Sequence, residues 1–178
     1  MGFTFVPEYY FDRFDLASAE FLEKIGIRGV ILDVDNTLEP YEHPLPGDHV
    51  VAWLESLRAK GIRCAIVSNN NRERIELFNK DIGLPYYAKA GKPFKKNVLR
   101  AMADIGTTEE ETILMGDQVF TDVWAAHNAG IKAILVPPIN DKKDLLTRFK
   151  RWLERPVLKK YRSLHPELSY SSDEGKGE

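Results

Sequence analysis

Gly29-Val30-Ile31-Leu32-Asp33-Val34-Asp35-Asn36-Thr37-Leu38 is the stretch that decides the fold. An unbroken apolar run ends on a carboxylate, and a second carboxylate follows two places on. A strand that is apolar on both faces belongs in a parallel sheet covered by helices on each side. Working outward, apolar runs at Ile62–Val67, Thr112–Met115 and Lys132–Val136, with a short one at Tyr86–Ala88, bring the number of strands to five. Amphipathic segments separate them. One carries Leu16, Phe21, Leu22 and Ile25 and stops at Gly26. The next starts on a capping Asp48, turns Val50, Trp53, Leu54 and Leu57 inward and ends at Gly61. Arg72–Lys80 follows, with Ile75, Leu77 and Phe78 inward. Pro93–Asp104 has Pro93 in its first turn and Val98, Leu99 and Met102 on one face. Val119–Asn128 stops at Gly130, and a last helix over 142–153 is interrupted by Pro156. Strands alternating with helices define a three-layer, Rossmann-like α/β fold with a mainly parallel sheet. The expected organisation is one domain over 1–162 and a disordered polar tail over 163–178.

Composition narrows the classes. The chain has 178 residues, 43% apolar and 29% charged, enough to bury one core without a disulfide or a structural metal. The single cysteine, Cys64, excludes a disulfide framework and a CxxC site within one chain, and reads as a small core residue. Apolar runs fall far short of the roughly 20 residues that span a bilayer. Met1–Val6 has no signal-peptide pattern, and Val6 stands where a myristoylation site needs Ser or Thr. The expectation is a soluble protein of the cytoplasm.

The net charge of −2 hides an uneven distribution. Arg148, Lys150, Arg151, Arg155, Lys159, Lys160 and Arg162 face only Glu154, so residues 148–162 carry +6, against −5 over 1–147 and −3 over 163–178. Trp152, Leu153, Val157, Leu158 and Tyr161 interleave with the charges. Two readings stand: a solvated helix end, or a segment in peripheral contact with the inner face of an anionic membrane. Nothing in the sequence points to nucleic acid.

Ligands of an open parallel sheet bind beyond the carboxyl ends of its strands. Those ends carry Asp33 and Asp35, then Ser68-Asn69-Asn70, then Gly91-Lys92-Pro93, then Gly116-Asp117-Gln118 with Thr121-Asp122 just behind. Carboxylates gathered in one crevice repel one another and call for a cation. An all-oxygen set that leaves room for phosphate and water suits Mg²⁺. Beside a metal and a lysine, one carboxylate is placed to attack phosphorus, and a second to exchange a proton with the leaving group. Lys92 and Ser68 would hold the phosphoryl oxygens. Lys89, Lys95 and Lys96 are expected in solvent. His43, His49, His127 and His165 lack metal-ligand spacing, Trp53 and Trp124 read as core, and Tyr41 reads as a loop aromatic near the site.

These residues resemble the four motifs of the haloacid dehalogenase (HAD) superfamily. Asp33-Val34-Asp35-Asn36-Thr37-Leu38 fits the first motif at every defined position. Ser68, Lys92 in Gly-Lys-Pro, and Gly116-Asp117 with Asp122 fit the other three in order. The fuller pattern is similar to the YqeG-like group of subfamily IIIA, and to eukaryotic phosphatidylglycerophosphate phosphatases. The resemblance implies a phosphatase with Asp33 as nucleophile and metal ligand. It makes Asp35 the general acid and base, binding Mg²⁺ through its backbone carbonyl. It further implies Ser68, Asn69 and Lys92 around the phosphate, Asp117 as third metal ligand, and Asp122 and Thr37 as supporting groups. The intervals Leu38–Ser68 and Ser68–Lys92 leave no room for a cap domain. The site is therefore expected to be open and to take a large substrate: a phospholipid such as phosphatidylglycerophosphate, a phosphoprotein or a nucleic-acid end. The alternative from another class is a HAD-fold scaffold whose catalysis is incidental.

Overall fold

The computed structural model describes residues 5–140 and 145–165, the backbone alone over 145–154. The chain forms two compact units, Met1–Asp141 and Lys142–Glu178. The first contains a six-stranded sheet in the order β1-β6-β5-β2-β3-β4, every pairing parallel. Its strands are β1 (Tyr9–Tyr10), β2 (Gly29–Leu32), β3 (Arg63–Val67), β4 (Tyr86–Tyr87), β5 (Thr112–Gly116) and β6 (Lys132–Leu135). The helices are α1 (Ala19–Lys24), α2 (Asp48–Ala59), α3 (Arg72–Asn79), α4 (Lys96–Ile105) and α5 (Trp124–Asn128).

The decisive stretch forms the middle of this sheet. Val30, Ile31 and Leu32 are fully buried, and β2 pairs with β3 on one side and β5 on the other. Leu22, Leu54, Leu57, Ile75 and Phe78 cover the sheet from the helices. Cys64 is buried among them, and burial pushes its thiol up to about 12. Trp53 is in the core with its indole N–H on the Ala17 carbonyl at 3.0 Å. Trp124 is half-buried, edge-on to Phe5 at 5.3 Å. Between Leu38 and Ser68 lie one loop, α2 and β3, and between Ser68 and Lys92 only α3 and β4, so no cap domain is inserted.

The structure corrects the sequence reading in several places. Among the described residues there are six strands rather than five, because the two-residue β1 joins the edge beside β6. The α2 helix is capped by Gly47, with Asp48 already inside its first turn. Pro93 does not open a helix. Its peptide bond with Lys92 is cis, the chain turns with Phe94 N–H on the Gly91 carbonyl at 2.9 Å, and α4 begins only at Lys96. Leu77 points to solvent, since the inner face of α3 is formed by Arg74, Ile75, Phe78 and Asn79. Leu16 and Leu99 are also exposed. Residues 119–128 divide into a π-helical turn, Val119–Val123, and α5. In the second unit α6 (Leu145–Leu164) runs through Pro156, whose fixed φ suits a helix although it supplies no N–H. Ser163 and Leu164 end that helix, while 142–144 and the remaining tail from 166 lie outside the described residues. Among the described residues no helix is long and apolar enough to cross a membrane.

The short β1 needs an anchor, and Glu8 provides it. Its carboxylate accepts the Ala133 N–H at 2.7 Å and lies 3.2 Å from His127 Nε2. Burial acts to raise the Glu8 carboxyl, but His127 and the Ala133 N–H outweigh it and hold the group below its ordinary 4.5. A carboxyl lowered in the folded state stabilises above its unfolded value and loses that contribution as pH falls through the folded one. Because the side chain keeps 37% of its exposure, Glu8→Gln is expected to cost only about 0.5 kcal/mol at pH 7. Urea denaturation at several pH values checks this: the gap between the two proteins should close below pH ~4.

Candidate active site

Four chain segments meet at the carboxyl ends of β2, β3 and β5. Asp33 extends β2 by one residue, its N–H on the Met115 carbonyl at 3.0 Å. The chain then turns sharply: the Val34 carbonyl accepts from Thr37 and Leu38, and Asn36 takes the left-handed conformation with φ of 62°. Asn tolerates that region better than most residues with a side chain. The turn brings Thr37 Oγ1 within 3.3 Å of Asp117 Oδ1 at the end of β5.

Ser68 follows β3, is buried, and accepts the Asn70 N–H on Oγ at 3.2 Å. Asn69 uses both ends of its amide on the backbone of Lys92, accepting its N–H at 2.7 Å and donating to its carbonyl at 3.0 Å. Gly91 precedes Lys92 at a φ of 70°, where glycine carries no steric cost. The fixed backbone sends the lysine side chain inward. Its Nζ lies 3.0 Å from Asp33 Oδ1 and donates to Asp122 Oδ1 at 2.6 Å. Asp122 sits on the π-helical turn, its other oxygen accepting the Gln118 N–H at 3.0 Å.

Asp33, Asp117 and Asp122 are all buried, and one carboxylate oxygen from each falls within a 4.8 Å group. Burial pulls the Lys92 ammonium down, but the charges of Asp122 and Asp33 prevail and hold it above the usual lysine range. Burial pushes the Asp122 carboxyl up, partly opposed by Lys92 and reinforced by Asp33. Three carboxylates and one ammonium leave the group net negative, with oxygen donors only. The buried Asn36 Oδ1 beside Asp35 also has no hydrogen-bond partner in the structure. This donor set fits a hard divalent cation.

Asp35 has separate surroundings. Its Oδ1 accepts from Arg74 Nε at 3.0 Å and its Oδ2 from Asn70 Nδ2 at 2.7 Å. Burial raises its carboxyl, opposed by Asn70 and Arg74. The sequence-predicted Asp33, Lys92, Asp117, Asp122 and Thr37 are therefore brought together, Lys92 between Asp33 and Asp122, and Thr37 on Asp117. Ser68 ends the adjacent strand, Asn69 works on the lysine backbone, and Asp35 stands apart on its own partners. Arg74 was missed by sequence reasoning, and Asn70, read at its strand end, was given no role. The available signal was a charge on the buried face of α3, one residue before Ile75 and four before Phe78. Lys89, Lys95 and Lys96 are exposed, as expected.

A buried carboxylate paired with a buried lysine at the ends of a parallel sheet is an arrangement suited to the chemistry of phosphoryl groups. The chain belongs to the haloacid dehalogenase-like hydrolases, whose family pattern matches residues 31–136, and it is a phosphatase of that family. It is 34% identical over 154 residues to the probable phosphatase YqeG of Bacillus subtilis, a match covering 86% of this chain and 90% of that protein. It is 27% identical over 163 residues to phosphatidylglycerophosphate phosphatase 1 of Arabidopsis thaliana, covering 80% of this chain but 44% of that protein. Among solved structures, the cobalt-bound deoxy-D-mannose-octulosonate 8-phosphate phosphatase of Haemophilus influenzae shares the fold at a TM-score of 0.51. Its identity is 16%, and the match covers 79% of this chain and 91% of that one.

Gly116 keeps the site together at β5. A Cβ built there would fall on the Asp122 carboxylate. Gly116→Ala must therefore displace Asp122 from Lys92. Overpacking of this kind costs about 1–3 kcal/mol. Thermal denaturation should show a melting temperature lower by roughly 3–8 °C, and phosphatase activity should fall with it.

Proposed function

We propose that this phosphatase is a Mg²⁺-dependent phosphomonoesterase that carries the phosphoryl group on Asp33 and acts on a phospholipid head group. The observation that carries the reading is Lys92 Nζ set between Asp33 and Asp122, at 3.0 and 2.6 Å, inside a buried and net-negative carboxylate group. Asp33, Asp117 and the backbone carbonyl of Asp35 would hold the metal, with Thr37 and Asp122 fixing the ligands from behind. Bound there, Mg²⁺ supplies charge that offsets the phosphoryl oxygens as they approach an anionic nucleophile.

An Asp33 carboxylate oxygen attacks phosphorus, and the bond from phosphorus to the ester oxygen breaks. Asp35 gives its proton to that departing oxygen, releasing the alcohol and leaving an acyl phosphate on Asp33. Asp35, now a carboxylate, takes a proton from water as the water oxygen attacks the same phosphorus. The bond to Asp33 breaks and inorganic phosphate leaves. Ser68 and Lys92 contact the phosphoryl oxygens throughout, and Asn69 contributes by placing Lys92. Among the described residues no cap domain is inserted over the site, which favours hydrolysis over transfer to a second acceptor.

An uncapped site at the rim of a sheet admits a head group still anchored in a bilayer. Tyr41 and Phe94, in the loops that follow the two catalytic segments, are exposed, Phe94 at 75%. Such side chains suit an interface between water and lipid. The basic segment 148–162, where Arg155, Lys159, Lys160 and Arg162 are exposed, adds attraction to anionic lipid. The similarity to a plant phosphatidylglycerophosphate phosphatase supports the same substrate class. On this reading residues 1–162 act as one phosphatase at the inner face of a membrane.

Asp33→Asn is expected to abolish hydrolysis of an aryl phosphate while circular dichroism stays unchanged, and chelation of the metal should do the same until Mg²⁺ is returned. Retained turnover in the variant would sink the mechanism. Wild type should hydrolyse phosphatidylglycerophosphate in anionic vesicles at least tenfold faster than soluble sugar and nucleotide phosphates, phosphopeptides or phosphorylated oligonucleotide ends. Equal turnover of any soluble substrate overturns the lipid assignment and leaves the chemistry standing.

A further inference from the structure

Arg74 is an unusual residue to find on the covered face of a helix. Only 9% of it is exposed, yet it carries a charge, and it lies outside every motif that marks the site. Its guanidinium is engaged on all sides. Nε and Nη2 reach Asp35 Oδ1 at 3.0 and 2.9 Å, Nη1 donates to the Pro44 carbonyl at 2.8 Å, and Nη2 also donates to the His43 carbonyl at 2.9 Å. Its charged carbon lies 5.6 Å from the centre of the Phe78 ring. One rigid planar group thus joins α3, the second aspartate and the loop that leaves the first motif.

The second oxygen of Asp35 is fixed by Asn70, which is itself held by the Lys89 N–H on its carbonyl at 2.7 Å. The loop is pinned at its ends as well, because the buried Glu39 accepts the Gly47 N–H at 2.6 Å. Arginine does not give up its proton in proteins, so Arg74 takes no part in proton transfer itself. What it supplies is placement. A lysine at this position would bring the charge but not a fork that spans a carboxylate and two carbonyls.

We propose that Arg74 is a positioning residue for the reaction: together with Asn70 it fixes the carboxylate of Asp35, and it ties that carboxylate to the His43–Pro44 loop. The inference rests on Asp35 being the group that exchanges protons with the leaving oxygen. A misplaced acid loses its advantage over water, and positioned acids and bases contribute about 10²–10⁴-fold. The loss falls hardest on substrates whose leaving oxygen most needs a proton.

The test is kinetic, on the full chain with Mg²⁺, using aryl and alkyl phosphates of rising leaving-group pKa. Arg74→Met is expected to lower kcat about 100-fold on an alkyl phosphate and much less on nitrophenyl phosphate, with KM within about threefold of wild type. Arg74→Lys should recover part of the loss. In the Asp35→Asn background, Arg74→Met should add less than a threefold further loss, because its effect passes through Asp35. Losses that multiply in the double variant, or an equal loss across the leaving-group series, would show a general structural role and overturn the proposal. A raised KM at unchanged kcat would assign Arg74 to the substrate instead. Full activity in Asp35→Asn alone would bring down the acid-base reading first, and this one with it. Should Arg74→Met fail to fold, Arg74→Lys and Asn70→Ala carry the same comparison.

Discussion

Lys92 holds a single ammonium among three buried carboxylates, and most of the site's construction serves to keep it there. Burial of charge is tolerated only with close partners and complete hydrogen bonding. Each partner comes from a different part of the chain: Asp33 from the end of β2, Asp122 from the π-helical turn behind β5, and the lysine itself from the segment after β4. The residues around them follow from that demand. Asn69 clamps the lysine backbone, Gly116 leaves space that Asp122 fills, and Thr37 reaches across to Asp117. The π-helical turn has the same origin. Asp122 accepts the Gln118 N–H on its side chain while Val123 N–H reaches back to the Gln118 carbonyl, widening the turn beyond an α-helical one.

Two aspartates two positions apart in the sequence thus experience different surroundings. Asp33 lies against the lysine in the buried cluster, and Asp35 lies against a guanidinium and an amide at the margin of the site. On the proposed mechanism one of them remains charged and the other changes its protonation, and separate partners allow both two positions apart. The left-handed Asn36 immediately after them starts the turn that lets the chain leave the sheet at once.

Much of this was legible before any coordinates. The parallel sheet followed from Val30-Ile31-Leu32 and its sister runs, because a strand buried on both faces has to be apolar throughout. Asp33, Asp35, Ser68, Lys92, Asp117 and Asp122 were legible because each stands just after an apolar run or in a short motif beyond one. Other features were set by distant contacts that leave little local trace. The β1 strand is two residues long and depends on a hydrogen bond from Ala133 to Glu8. Leu77 looked like a core residue, and nothing local marked Arg74 as buried. The partner that holds the arginine inside, Asp35, lies 39 positions away from it. Pro156 looked like a break, but a proline whose φ suits the helix need only remove one donor.

The order of the sheet also distributes its resilience. Asp33 follows β2 and the acidic pair lies behind β5, the two central strands of the sheet, whereas the margins are two-residue strands. Amide protons at the centre of such a sheet exchange only on global opening, and margins exchange through local fraying. The edges of this sheet are thus free to fray while Asp33 stays as firmly placed as the fold itself.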